Sequence, residues 1–284
     1  MRIDLHSHSA ASDGTDTPAG LVRNAAAAGL DVVALTDHDT TAGWDEAADA
    51  LPSGLRLVRG MEMSCTGRGE DGHPVAVHLL AYLFDPTDPV FVNELERLRG
   101  ERVSRLRVMA ERMAADGLPI DADRVLAQAG PAAGRPHLAR ALVEAGVVPT
   151  IGDAFLDLLS PKGRYYMAKE DTPLSDAVKM VQTAGGVTVV AHARARARGR
   201  LLALDHIEEL AEIGLGGVEA DHPDHSDADA RLMKDLASKL GLFVTGSSDY
   251  HGENKSVELG RFTTDGDALA DLLDRAHGVE VVEG

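Results

Sequence analysis

Short apolar runs recur along the chain, and most of them end in a histidine or a carboxylate. RIDL leads into HSHSAASDG, LDVVALT into DHDT, LRLVRGM into Glu62, GGVTVVA into His192, and GLFVTGSS into Asp249 and His251. Helix patterns separate several of these runs. The clearest covers 17–29, with Pro near its start and Gly at its end, and a shorter one covers about 42–50. Buried-strand and helix patterns in alternation imply a parallel sheet with helices outside. In a barrel of such strands the C-terminal ends gather on one rim, where the active sites of such folds are built.

The residues that this pattern sends to the rim are His6, His8, His38, Glu62, His192, Asp249 and His251. Asp13 follows in the first loop, turned back by a glycine, and His78 interrupts the strand-like run VAVHLLAYLF. His6 and His8 are two apart in an extended segment and so point the same way. Imidazoles and carboxylates in one small space form a donor set for divalent metals. A zinc ion takes about four ligands and a hard divalent cation about six including waters, so this many donors imply two or three ions.

The single cysteine, Cys65, excludes a disulfide framework and a thiolate metal site, and it fits a cytoplasmic setting. No charged-then-apolar leader opens the sequence and no apolar run approaches ~20 residues, so neither secretion nor membrane insertion is expected. A net charge of −18 argues against a broad basic surface for long duplex nucleic acid. A small anionic substrate stays open, because bound cations and a few arginines can reverse the potential inside one cleft.

Strand rhythm stops near Pro86 and resumes after the insertion. Residues 87–163 read as a helical insertion and candidate lid, with 1–86 and 164–284 forming the α/β body. Within the insertion, Arg135 and His137 stand at a helix entry, where donors and the positive end of the dipole meet anions; a plain polar cap explains them equally well. Beyond it, GLGGVEADHPDH carries Glu219, His222 and His225, and ELGRFTT reads as a last strand. The run Arg194, Arg196, Arg198, Arg200 is either a contact for a second phosphate or a solvated loop.

The motifs HSHSAASDG at 6–14, TDHD at 36–39, GMEMS at 60–64, His78, AH at 191–192 and SDYH at 248–251 resemble those of the PHP (polymerase and histidinol phosphatase) family of metal-dependent phosphoesterases. They span nearly the whole chain in the family's order. The resemblance implies a distorted seven-stranded β/α barrel. With its helical insertion, the chain is most similar to stand-alone nucleoside 3′,5′-bisphosphate phosphatases and 5′→3′ exonucleases acting on short oligonucleotides. The resemblance further implies that His6, His8, Glu62 and Asp249 hold one ion, that Glu62 bridges to a second held by His78 and His192, and that Asp13, His38 and His251 hold a third. Asp13 stands where many relatives have histidine. A carboxylate is the harder ligand, so Mn2+ or Fe2+ is expected over Zn2+, with Mn2+ first. Ala193 is another departure, since many relatives have proline there.

Paired divalent ions acidify a bridging water and clamp phosphoryl oxygens. The expected reaction is therefore attack of that hydroxide, beside the bridging Glu62, on a nucleoside 3′,5′-bisphosphate to leave the 5′-monophosphate, or on short 5′-phosphorylated oligoribonucleotides. Arg135 is the first candidate for a phosphate clamp, with His137, Lys162 and Arg194 behind it. His225 is the candidate proton donor to the leaving oxygen, and Asp37 the candidate for orienting a ligand histidine. Tyr165, Tyr166 and Tyr250 are the aromatic candidates for stacking a base. The alternatives are a histidinol-phosphate phosphatase, a non-catalytic PHP module that binds a polymerase, and an amidohydrolase. The last normally needs a different ligand set, often with a bridging lysine.

Overall fold

The computed structural model describes residues 1–129, 133–160, 162–168 and 170–284. The chain opens with β1 (Ile3–Asp4), α1 (Pro18–Ala27), β2 (Val32–Leu35) and α2 (Trp44–Asp49). Thr17 caps α1 by accepting from Gly20 N, and Pro18 takes the position where a missing N–H matters least. Then come β3 (Arg56–Arg68), β4 (Pro74–Tyr82) and the helices α3 (Pro89–Ala115), α4 (Ala122–Ala129), α5 (Arg135–Glu144) and α6 (Ile151–Leu156). The rest is β5 (Thr172–Pro173), α7 (Leu174–Thr183), β6 (Val187–Val190), α8 (Leu204–Glu212), β7 (Gly217–Asp221), α9 (Asp227–Leu240), β8 (Phe243–Gly246), α10 (Gly266–Arg275) and β9 (Val282–Glu283).

Seven strands follow one path, β1-β2-β3-β4-β6-β7-β8, and the two-residue strands β5 and β9 pair with β3. The ends of the path meet where Ser7 bridges Tyr250 and His8 N donates to Tyr250 O at 2.8 Å, so the sheet is a nearly closed barrel. Strand alternation divides the apolar side chains between two clusters. Val33 and Leu35 pack with Leu21, Val22, Trp44 and Ala47 of the flanking helices. Val32 and Ala34 join Ile3, Leu80, Val189 and the α10 residues Leu269 and Leu272.

Two expectations need correction. The sheet is not all parallel, because β4 runs antiparallel to both β3 and β6. The β3–β4 register sets Ser64 opposite His78 and Glu62 opposite Leu80, which puts Glu62 and His78 on one face. The paired β3 and β4 run on past the rim, so Glu62, expected at the end of its strand, and His78 both lie within strand bodies. ELGRFTT is not a strand either; the segment turns, and the last strand is β9, antiparallel to β3 at Leu57.

The long helix α3 belongs to two cores. Phe91, Leu95 and Leu98 pack into the helix-side cluster of the barrel. Further along, Leu106, Met109 and Met113 join Val125, Leu138, Leu142, Ala154 and Tyr165 in a separate cluster made by α3–α6 and the segment after them.

Candidate metal centre

The first loop is built to bring Asp13 back over His8. A Cβ at Gly14 would lie 2.3 Å from the His8 carbonyl oxygen, so only glycine allows this approach. Asp37 fixes the same loop by accepting from Ser9 N at 2.8 Å and from the hydroxyls of Ser9 and Ser12 at 2.6 Å each. It therefore organises the loop around His8 rather than hydrogen-bonding a histidine. On the far side of the rim, His192 lies two residues past β6 and Asp249 three past β8, with φ of 32° and 51°. Left-handed backbone at non-glycine residues is disfavoured, and strain of this kind gathers where a side chain must be aimed.

All nine predicted ligand residues converge. His6 Nε2 and His8 Nε2 lie 3.2 and 3.0 Å from Glu62 Oε2, and each is 3.5 Å from Asp249 Oδ1. His78 Nδ1 and His192 Nε2 approach the other Glu62 oxygen at 2.6 and 2.9 Å. Asp13 Oδ1 is 3.3 Å from His251 Nε2 and 3.7 Å from His8 Nδ1, while its Oδ2 is 3.7 Å from His38 Nε2. Among the described residues the donors fall into three sets: His6, His8, Glu62, Asp249; His8, Asp13, His38, His251; and His38, Glu62, His78.

This donor set fits divalent cations. Nδ1 of His38 and of His78 lie 3.3 and 2.6 Å from Glu62 oxygens, yet neither nitrogen is aligned for a hydrogen bond. Close donors that do not bond one another, in a buried site of imidazoles and carboxylates, point to a shared cation. Burial alone would raise the Glu62 carboxyl, but His78, His38 and His6 hold it well below the usual carboxylate range. Burial would also lower His8, yet Asp249 and Glu62 pull it up to about 9. His38 and His192 move the other way, since burial, and for His192 also the neighbouring Arg198, favours the neutral ring.

Two residues of β7 and its following loop complete the site, and neither was assigned a role from sequence. Glu219 is fully buried; His6 Nδ1 donates to its Oε1 at 3.1 Å and His192 N to its Oε2 at 2.8 Å. The first contact fixes the proton of His6 on Nδ1 and presents Nε2 to the rim. His222 Nδ1 accepts from Asp224 N at 3.0 Å, leaving Nε2 to donate to Asp249 Oδ2 at 3.2 Å. A carboxylate inside the apolar run GLGGVEAD was the available signal, because a buried carboxylate needs partners.

The predicted substrate residues divide. Arg135 lines a cavity of about 350 Å³ that runs from Asp13, His38 and His78 to the insertion helices. It donates to Leu159 O at 3.0 Å and lies over Phe155 and Tyr166, 5.4 and 5.6 Å from the ring centres. Burial and the neighbouring Arg105 push its guanidinium down to about 10. His137 is a cap, with Nδ1 accepting from Gly134 N at 3.2 Å, and Lys162 is exposed and does not line the cavity. Arg194 is placed elsewhere: it is buried and pairs with Glu70 at 2.6 Å, so Arg198 is the member of its loop that reaches the rim. His225 is also occupied, with Nδ1 donating to Ala220 O at 2.8 Å and Nε2 accepting from Arg194 N at 3.1 Å; no proton remains for a leaving group. Of the tyrosines, Tyr166 lines the cavity, Tyr165 is buried in the helical core, and Tyr250 donates to Asp16 at 2.8 Å.

Sequence missed Arg105. It lies on α3 beside the cavity, with Cζ 5.0 Å from the Tyr166 ring centre and buried Nε and Nη2 that have no hydrogen-bond partner. Its neighbour Arg102 is engaged, pairing with Asp39 and donating to Ser64 Oγ at 2.7 Å.

A family described as "PHP domain" matches residues 4–152. The chain is 33% identical over 253 residues to the 3′,5′-nucleoside bisphosphate phosphatase of Chromobacterium violaceum, covering 88% of this chain and 87% of that one. It is 32% identical over 262 residues to the 5′-3′ exoribonuclease of Haemophilus influenzae, covering 92% and 93%. A solved structure from Bifidobacterium adolescentis, described as a metal-dependent phosphoesterase, superposes with a TM-score of 0.89 at 39% identity, over 97% of this chain and 96% of that one. The converging rim, the barrel that builds it and these relatives lead to one conclusion: the chain belongs to the PHP family of metal-dependent phosphoesterases.

Proposed function

We propose that this protein hydrolyses a phosphate ester of a small nucleotide, converting a nucleoside 3′,5′-bisphosphate to the 5′-monophosphate, or trims short 5′-phosphorylated oligoribonucleotides. The observation that carries this reading is the cavity joining the rim to Arg105, Arg135 and Tyr166. A substrate with one phosphate at the rim and a second among the arginines uses both ends, and a nucleoside between them meets the Tyr166 and Phe155 rings. Two half-buried guanidiniums on the cavity wall, with Nε and Nη2 of Arg105 lacking hydrogen-bond partners, favour a second anionic group. Histidinol phosphate has no second phosphate for them. The activities of the Chromobacterium and Haemophilus relatives agree with this reading.

Two or three divalent ions, Mn2+ first, would be held by His6, His8, Glu62 and Asp249, by Asp13, His38 and His251, and at Glu62 with His78 and His192. Such ions acidify a water and neutralise charge on the phosphoryl oxygens. The chain's own groups do the rest. Glu219 orients His6, Asp37 fixes the Asp13 loop, and Arg105 with Arg135 hold the distal phosphate. His222 Nε2 takes the place of His225 as the imidazole facing the rim. We assign 87–163 as the insertion that supplies the cavity's outer wall.

The test is phosphate release by the Mn2+-loaded protein from adenosine 3′,5′-bisphosphate, a short 5′-phosphorylated RNA and histidinol phosphate in parallel. Preference for either nucleotide substrate supports the proposal. Turnover of histidinol phosphate alone sinks it, and a metal-loaded protein inactive on all three would have to be treated as a binding module.

A further inference from the structure

Between its two cores, α3 carries a buried arginine. Leu98 still packs with the barrel and Leu106 already with the insertion; Arg102 lies between them and is only 8% exposed. Its Nε donates to Asp39 Oδ2, and its Nη2 donates to Ser64 Oγ at 2.7 Å. Asp39 is held in turn. Its Oδ1 accepts from Ser64 N at 2.7 Å and its Oδ2 from the Ser64 hydroxyl at 2.8 Å, while its own N–H donates to Glu62 O at 3.2 Å. The Asp39 backbone is left-handed, with φ of 49°, the kind of strain that persists where surrounding contacts aim a side chain. Asp39 follows His38 in sequence, and Ser64 stands opposite His78 in the β3–β4 register. One ion pair therefore fastens α3 to the backbone that presents His38, Glu62 and His78.

The next turn of the same helix reaches the cavity. Arg105 lies three residues on, on the same face and about 4.5 Å further along the axis, and Arg102, Ser64 and Arg105 all line that cavity. With Nε and Nη2 of Arg105 lacking hydrogen-bond partners, the place of its guanidinium depends on where α3 sits. A buried ion pair is a poor source of net stability, because removing two charges from water offsets their attraction; what it does fix is geometry. We propose that Arg102 is a positioning residue that sets the height of α3 over the metal rim, so that Arg105 meets a second phosphate at one fixed distance from the first. The substrates so selected are esters whose two phosphates are separated by one ribose. The proposal rests on the phosphoesterase reading and names the device that sets its substrate spacing.

A double-mutant cycle tests it. Arg102→Lys keeps the charge but loses the fork that spans Asp39 and Ser64. Ser64→Ala releases the guanidinium on one side without leaving a buried charge unpaired, and it keeps the test decisive if the lysine variant is poorly folded. Each is made in the wild type and in Arg105→Ala, and every protein is loaded with Mn2+. In the wild-type background we expect a higher KM for adenosine 3′,5′-bisphosphate, by about tenfold for Arg102→Lys, with a much smaller change for adenosine 3′-monophosphate. In the Arg105→Ala background neither change should add further loss, because Arg102 acts through Arg105. Calorimetric binding of adenosine 5′-monophosphate, the product, should follow the same pattern, and manganese per chain should stay at the wild-type value. Losses that multiply with that of Arg105→Ala, equal losses on both esters, or depleted manganese would each overturn the proposal and leave the phosphoesterase reading standing. A fully loaded wild type inactive on both esters would remove that reading as well.

Discussion

Glu219 shows how one buried carboxylate can govern a metal site from outside it. It faces His6 Nδ1, the His192 amide and the Ser247 hydroxyl, with no solvent to screen it. Glu219→Gln keeps the shape and removes the charge that fixes the proton of His6. Mn2+ affinity, measured by calorimetric titration, is expected to fall roughly tenfold to a hundredfold; unchanged affinity would reduce Glu219 to a packing role. His8 makes a second prediction, about protons. When a chelator strips the protein, Asp249 and Glu62 hold the buried His8 imidazolium up to about 9, from an ordinary 6.5. A raised histidine stabilises the fold fully below its unfolded pKa and loses that contribution as pH rises through the folded one. The stripped protein should therefore lose thermal stability between pH 6.5 and about 9. Mn2+, which needs the neutral ring, should bind more tightly across the same window and release protons to the buffer. Melts of stripped protein that stay level over this range would contradict the assignment.

At the level of elements, function depends on where a strand runs backwards and where a helix leaves the barrel. α3 is anchored in the barrel at Phe91 and Leu95 and carries Arg105 to the cavity further along. Arg105→Ala is expected to raise KM for a nucleoside bisphosphate about tenfold to a hundredfold, the range for losing hydrogen bonds to a charged group, with little change for a 3′-monophosphate. Equal losses on both substrates would show that Arg105 supports the fold of the insertion instead. The rim was legible in sequence because most of its donors stand just past an apolar run, a pattern along the chain that Glu62 and His78, within β3 and β4, do not share. Arg105 was not, because on a helix rich in exposed arginines its burial depends on what the other insertion helices place over it. The antiparallel course of β4 was hidden too, since a buried strand reads as an apolar run in either direction. Arg194 and Arg198 differ by one turn of a short 3-10 segment, and only that turn decides which reaches the rim.

The barrel as a whole closes at a thin seam, and the metal centre straddles it. β1 and β8 are not paired along their length; they meet through the Ser7–Tyr250 bridge and the bonds from Ser248 N and Gly260 N to Asp4, at 3.1 and 2.8 Å. His6 and His8 come from one side of that seam, Asp249 and His251 from the other, so ions shared among them would tie the two ends of the barrel together. An ion at a hundred times its dissociation constant adds about 2.7 kcal/mol to stability, which for a chain of this size corresponds to roughly 5–10 °C in Tm. Chelation should therefore lower Tm by about that much per tightly bound ion and restore it on adding Mn2+. Because the ions bridge a particular seam, amide exchange should accelerate first at residues 5–9 and 247–252, before the β3–β4 hairpin responds. Exchange that quickened evenly over the whole barrel would mean that the ions stabilise the fold without closing the seam.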